Sequence, residues 1–453
     1  MTWDWISASP TVKSKTHDPG GILMKKILQL LKGKLVQNVG WLVASKVYQV
    51  ILNLVIYMLT ARYLGPANFG LINYASSFAT LFLAICTLGI GDILVNELLE
   101  HKQDGKILGS SIGMRLCSSG ISVGVITLLT WLLNPGEPVT VQVVLLYSIS
   151  LIFQSFDSLH GWYQANLRSK VTAGINAAGY TISAIYKAYL LITFKGVRWF
   201  AAAHMVEYAF VAILLLISYS RSNGKTQPLS FDLSVAKRVL KRSYHFILSG
   251  IMVALYGQMD RVMIKPMLGE EAVGFYSAAS TINNCWVFVL VALTEASSPV
   301  IVSKYPEDKK GFETGLIRLY GIILYVAFFV AVCITLLSKP LILLLFGADY
   351  LPGRATLCIL CWGTPFAYLG VARHIWLVTH KKQKYIKYIS AAGAVCNLVL
   401  NAILIPIWGI SGAAFATFVT RFFTNFVIDF LIPGTRESGK LFLKALVFWK
   451  YLK

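Results

Sequence analysis

Leu64-Gly65-Pro66-Ala67-Asn68-Phe69-Gly70, followed by Ala75-Ser76, returns later in the chain as Leu268-Gly269-Glu270-Glu271-Ala272-Val273-Gly274, followed by Ala279-Ser280. The leucine, both glycines, the alanine and the serine keep one constant offset. Each copy stands between two apolar runs, 38–61 and 70–94 around the first and 244–265 and 273–301 around the second. A second match lies further along each half. Trp162 to Lys170, then Ala177-Ala178-Gly179, corresponds to Trp376 to Lys384, then Ala391-Ala392-Gly393. Two ordered matches mark a duplicated unit.

A membrane-spanning helix needs about 20 mostly apolar residues. Working outward from the two motifs, such runs number twelve, six in each half, and the last two (385–408 and 410–432) leave room only for a tight hairpin. The expected fold is therefore an all-α membrane protein with about 12 transmembrane helices in two pseudo-symmetric six-helix bundles. An even number of helices per repeat keeps both copies in one orientation, so the repeats are related by an axis along the membrane normal. The division is a cytoplasmic N-terminal segment at 1–35, an N-lobe at 36–220, a basic cytoplasmic linker at 221–243, a C-lobe at 244–432 and a cytoplasmic tail at 433–453.

Composition agrees with a chain that has lipid as solvent. Of 453 residues, 56% are hydrophobic and 13% charged, about half the charged share of soluble domains, and mean hydropathy is +0.65. The net charge of +21 does not indicate a nucleic-acid partner, because the basic residues are scattered through short segments between apolar runs. Their placement reports topology instead. Of the 41 Lys and Arg residues, only Arg62, Lys195, Arg198, Lys265, Lys339 and Arg354 flank the spans on one side, while most of the rest flank the other. That bias puts both termini in the cytoplasm. No apolar signal-peptide core occurs in residues 1–35. From Met24, which reads as the true start, a basic amphipathic lead-in suits an anionic leaflet.

Catalytic and metal motifs are missing. Cys358-x-x-Cys361 has zinc or redox spacing but no second Cys/His pair, so it reads as two small hydrophobes in a helix. Gly224-Lys225-Thr226 resembles the end of a phosphate-binding loop, but Tyr219 stands where its first glycine belongs. No HExxH, nucleophile triad or cofactor motif is found, so no cofactor is expected.

The polar residues inside the spans carry the functional reading. Lys46, Asn53 and Thr60 share one side of the first helix, and the repeat equates that stripe with the small-residue face of the seventh, which also bears Arg261 and Lys265. Arg115, Lys187, Glu207, Asp260, Arg373 and Arg421 are further ionisable residues within spans. A charge near the bilayer centre costs at least about 2.5–3.5 kcal/mol, so such residues face an interior or a wet cavity. Snorkelling and structural pairing are open to the shallow ones, whereas Glu207 and Arg421 are the deepest. All ten (Lys46, Asn53, Arg115, Lys187, Glu207, Asp260, Arg261, Lys265, Arg373 and Arg421) are candidates to line a substrate cavity. Arg261, helped by Lys46 and Lys265, is the expected pyrophosphate ligand, because a guanidinium can grip phosphate oxygens bidentately.

At these motifs the chain resembles the polysaccharide-exporter branch of the multidrug/oligosaccharidyl-lipid/polysaccharide exporter superfamily. The resemblance rests on Ala61-Arg62-Tyr63-Leu64-Gly65-Pro66 with Phe69-Gly70, and on Asp260-Arg261 followed by Leu268-Gly269-x-x-x-Val273-Gly274-Phe275-Tyr276. A third motif is Asn397-x-x-x-Asn401 before Leu404-Ile405-Pro406-x-x-Gly409-x-x-Gly412. It implies two bundles working by alternating access in the bacterial inner membrane. It also implies a polyprenyl-pyrophosphate-linked oligosaccharide as cargo, for O-antigen, capsule or exopolysaccharide synthesis. A polysaccharide polymerase and a chain-length regulator are implied as partners beside the membrane lipids. A cation-coupled multidrug antiporter of the same superfamily is the alternative, with Glu207 as its available acid. A peptidoglycan-precursor flippase would want two further C-terminal helices, and a membrane glycosyltransferase would want long outer loops with acidic residues.

Topology is directly testable. Reporter fusions after Asn223 and Lys382 should read cytoplasmic, and fusions at Gly136 and Asp349 periplasmic; a cytoplasmic signal at Gly136 would overturn the orientation.

Overall fold

The computed structural model describes residues 34–222, 227–305 and 307–451, with side chains from Tyr48 onward except at Ser249. The lead-in from Met24 and the side chain of Lys46 lie outside the described residues. Among the described residues the regular structure is helical throughout. In the first half the helices are α1 (Lys34–Cys86), α2 (Gly91–His101), α3 (Asp104–Leu133), α4 (Pro138–Ser148), α5 (Ser150–Gln154), α6 (Ser158–Ala165), α7 (Ser169–Ile192) and α8 (Val197–Ser220). The second half contains α9 (Leu233–Leu268), α10 (Glu270–Asn284), α11 (Phe288–Val302), α12 (Lys309–Leu345), α13 (Arg354–Thr379), α14 (Lys384–Phe422), α15 (Ile428–Leu431) and α16 (Arg436–Ala445).

The repeated motif is where the chain turns. Gly65 interrupts α1 with φ 69° and ψ 171°, and its repeat-mate Gly269 separates α9 from α10 with φ 89° and ψ 173°. Side chains other than glycine's hydrogen are excluded from that region, so both copies need glycine for the same backbone reason. Pro66 then opens the new helix, where its missing N–H costs nothing. Five residues past each turn comes the second glycine. A Cβ on Gly70 would run into the carbonyl of Glu270, and one on Gly274 into the carbonyl of Pro66. Pro66 and Glu270 are themselves repeat-mates, so the two contacts are one contact made twice about a pseudo-two-fold axis.

The second match also repeats its geometry. The helix containing Trp162 ends with Leu167 at φ 53°, and the one containing Trp376 ends with Lys381 at φ 56°. Arg168 N–H donates to the Tyr163 carbonyl at 2.8 Å, and Lys382 N–H to the Leu377 carbonyl at 2.7 Å. Both are left-handed caps that close back over the last helical turn. Trp162 and Trp376 are both buried in apolar clusters, the first including Val235 and Val239 of α9. A third cluster, containing Phe69, Tyr74, Phe78, Val273, Tyr276 and Tyr350, spans the junction of the halves.

Further ties join the halves at both ends. Near the motif, Tyr350 Oη donates to the Ala61 carbonyl at 2.8 Å, Arg62 to the Leu343 carbonyl at 3.2 Å, and Lys265 Nζ to Asn134 Oδ1 at 2.8 Å. Lys265 also pairs with Glu137, and that bond, with one from Thr140, holds the Glu137 carboxyl below the usual carboxylate range. At the opposite end Arg242 bonds Glu97 at 2.5 Å and Glu100 at 2.7 Å, and Arg238 lies 3.4 Å from Glu97.

Several expected boundaries move. By length and composition, eight helical segments among the described residues can cross a membrane, or nine if the α10–α11 pair, bent by 40°, is one span. Two of the eight are double: Tyr48–His101 has 54 residues and Lys384–Leu431 has 48. A straight 54-residue helix would run about 80 Å, far beyond a hydrocarbon core of about 30 Å. The breaks at Gly65 and Gly409 (φ 58°, ψ −140°) divide them. Helix α7 fills the span expected at 171–194, but Asn176, Tyr180 and Lys187 keep it out of the eight. The run at 139–163 is broken into α4, α5, a 3-10 turn and α6. The linker gives up its second half to α9, because Asp232 Oδ1 accepts from the Ser234 and Val235 amides and starts the helix there. The tail carries α16, whose Leu441, Phe442 and Ala445 are buried in the cluster around α12 and α13.

The reciprocal glycine contact predicts a stability effect. Overpacking costs typically about 1–3 kcal/mol, so Gly70→Ala and Gly274→Ala should each lower the melting temperature in detergent. Gly124→Ala, with open space around its Cβ, should leave it level or slightly raised; equal effects at all three would remove the contact's importance.

Candidate functional site

Three cavities lie in series between and within the halves. The first, of about 310 Å³, lies among α1, α4, α7 and α8 and is lined by Lys187, His204, Glu207 and four tyrosines. It shares Gln49, Asn53 and Tyr57 of α1 with a cavity of about 330 Å³ against Thr281 and Asn284 of α10. Asn284 in turn lines a third cavity of about 660 Å³ in the second half, with Tyr256, Tyr368, Arg373, His374 and Arg421. Ionisable groups thus stand at both ends of a passage whose middle is Asn53, Tyr57 and Asn284.

The candidate residues divide on this geometry. Asn53, Lys187, Glu207, Arg373 and Arg421 line the cavities. Arg373 is already committed: its guanidinium meets Asp429 at 3.0 Å and the Thr424 carbonyl at 3.0 Å, both within the protein. Arg421, by contrast, lies beside Tyr256, and no carboxylate among the described residues pairs with it. Arg115 sits away from the cavities, donating to Ser158 Oγ at 3.1 Å and the Gln154 carbonyl at 2.9 Å. Lys265 is 3% exposed and ties the halves through Asn134 and Glu137, so its ammonium is not available beside Arg261. Arg261 lies close to Tyr57 and donates to Ser277 Oγ at 3.0 Å, Gln258 Oε1 at 3.0 Å and Ser280 Oγ at 3.3 Å. These are neutral acceptors that leave its charge uncompensated.

Asp260 forms a site of its own. One carboxylate oxygen accepts from Asn401 at 2.7 Å and Asn397 at 3.3 Å, and the other from Thr417 at 2.7 Å and from Tyr276. All five residues are buried, and no basic group among the described residues pairs with the carboxylate. Four neutral donors, from α10 and from α14 on either side of Gly409, thus satisfy one buried acid without a cation. The i, i+4 spacing of Asn397 and Asn401 was visible in the sequence motif. Tyr276 and the tyrosines of the first cavity were not, because an aromatic at helical spacing reads as core.

A helical chain of this hydropathy, with duplicated halves and polar cavities, is a multi-pass membrane protein. It matches the family described as polysaccharide biosynthesis protein over residues 35–304 and belongs to that family; the family described as MatE matches residues 246–403. Capsular polysaccharide biosynthesis protein CapF of Staphylococcus aureus is 19% identical over 396 residues, covering 86% of this chain and 96% of CapF. Among solved structures, an inward-facing multidrug-resistance MATE transporter of the MOP superfamily superposes with a TM-score of 0.68 at 15% identity, over 87% of this chain and 96% of that one. The lipid II flippase MurJ in an inward closed conformation gives 0.68 at 17% identity, over 90% and 91%. The family is thus the polysaccharide-biosynthesis one that the motifs implied, and the fold is that of the MATE and MurJ structures.

The two cavity arginines should behave differently. Arg373→Ala leaves Asp429 buried and unpaired, a change that costs about 3–5 kcal/mol, and should reduce folded yield in detergent. Arg421→Ala should give normal yield and melting temperature with impaired transport; a collapse of folding in both would assign Arg421 a structural role.

Proposed function

We propose that the protein is a flippase for polyprenyl-pyrophosphate-linked oligosaccharide units, serving O-antigen, capsule or exopolysaccharide synthesis at the bacterial inner membrane. The observation that carries the reading is the series of polar cavities, ending in Arg421, which no carboxylate pairs with among the described residues. An unpaired hydroxyl costs roughly 2–7 kcal/mol in hydrocarbon, so a sugar chain needs a passage lined by hydrogen-bonding groups. Family membership and the name of the CapF relative point to the same pathway class. With the double segments divided at Gly65 and Gly409, and with the α10–α11 pair and α7 each counted as a span, the architecture is twelve spans in two lobes, with both termini cytoplasmic. Arg421, and Arg261 behind the middle cavity, attract the pyrophosphate. A polymerase and a chain-length regulator take up the product on the outer face.

Complementation of a null strain tests this. Export of polymer should fall at least about tenfold for Arg421→Ala at unchanged protein level, fall for Arg261→Lys, and nearly vanish for Arg261→Ala. Normal polymer in the null strain, together with ethidium efflux that depends on the protein, would favour the multidrug antiporter instead.

A further inference from the structure

The cavity in the first half has a different character from the one in the second. Its wall is aromatic: Tyr147 of α4 stacks on His204 of α8 with centroids 4.2 Å apart and planes at 20°, and His204 meets Tyr208 edge-on at 4.8 Å. Facing that wall are Lys187 of α7 and Glu207 of α8. Asn53 and Gln49 of α1 complete the lining toward the middle cavity. Four helices thus converge aromatic faces, amides, one carboxylate and one ammonium on about 310 Å³, the lower end of the size range of small-molecule pockets.

Lys187 and Glu207 interact electrostatically, but their charged atoms do not close to a salt bridge. In the other half, Arg373 and Asp429 do close, at 3.0 Å. A pair whose only purpose was to neutralise itself in lipid would close in the same way, because separation forfeits the Coulomb and hydrogen-bond gain that offsets burial. Held apart, the two groups can bind something between them. A pyranose ring fits these features: its vicinal hydroxyls donate to a carboxylate, its oxygens accept from an ammonium, and its C–H face lies against the negative face of an aromatic ring. A guanidinium able to grip phosphate oxygens, that of Arg421, lies instead in the cavity of the second half, which Glu295 also lines.

We propose that the cavity lined by Tyr147, Lys187, His204, Glu207 and Tyr208 is a sugar subsite, taking one pyranose ring of the lipid-linked cargo between the Lys187/Glu207 pair and the aromatic wall. The inference rests on the flippase reading and adds to it where the sugar sits.

The test measures binding of two probes to the full chain in lipid nanodiscs: undecaprenyl pyrophosphate, and the same lipid carrying one N-acetylglucosamine. The glycosylated probe should bind at least about tenfold more tightly than the bare one. Tyr208→Leu and Glu207→Gln should bring that ratio close to one, while Tyr208→Phe, which keeps the ring, should retain most of it. Arg421→Ala should weaken both probes by a similar factor and leave the ratio. Melting temperatures identify any variant that fails to fold, and Tyr208→Phe with Tyr208→Leu separates ring loss from misfolding. Equal binding of both probes by the natural protein overturns the sugar subsite alone and leaves the flippase standing. A tenfold ratio that survives Tyr208→Leu and Glu207→Gln also overturns it, by placing the sugar elsewhere. Binding of neither probe overturns the flippase reading and the subsite with it.

Discussion

Where the carbonyl of Glu270 lies over Gly70, the carbonyl of Pro66 lies over Gly274. This reciprocal contact sets how closely α1 and α10 approach, and through them how the two halves meet. Backbone can reach backbone only because neither glycine carries a Cβ, and the approach is possible only because Gly65 and Gly269 have turned the chain in the same unusual conformation. The shared aromatic cluster of Phe69, Tyr74, Tyr276 and Tyr350 then packs around the axis. Away from this junction the apolar packing separates into two further clusters, one containing Trp162 and the other Trp376.

The charged groups sort by distance from that axis. Those that bridge the halves are found at the two ends, Lys265 with Glu137 at one and Glu97 with Arg238 and Arg242 at the other. The cavities hold charges of another kind: Lys187 and Glu207 do not close to an ion pair, whereas Arg373 is closed on Asp429. In each end tie one partner is exposed and the other buried, Glu137 against Lys265 and Arg242 against Glu97. Arg373 and Asp429 are both buried inside one half.

Much of this was legible before any coordinates. The duplicated LG…G motif and the tight hairpin near Gly409 follow from local sequence, since each depends on glycine or proline within a few residues, whereas the left-handed caps at Leu167 and Lys381 carry no such signal. The depth of Glu207 was legible too, from its distance to the nearest span end. The grouping of the site was not. Lys265 reads as one helical turn from Arg261, yet it turns to Asn134 and Glu137, which are far away in sequence. Arg115 reads as a cavity charge but spends its donors on a carbonyl and a hydroxyl of the helical run it packs against.

The sequence by itself determined the class of fold, the lipid environment, the duplication and the turns, because hydropathy runs and glycine conformations are properties of contiguous residues. Only the tertiary structure decided which charges face a cavity and which are neutralised. That choice depends on the partner a side chain meets across a helix interface, such as Asp429 for Arg373, Asn401 for Asp260, or Tyr256 for Arg421. Residues so far apart in the chain come together only when the helices have packed, and no spacing along one helix encodes which of its neighbours will be waiting there.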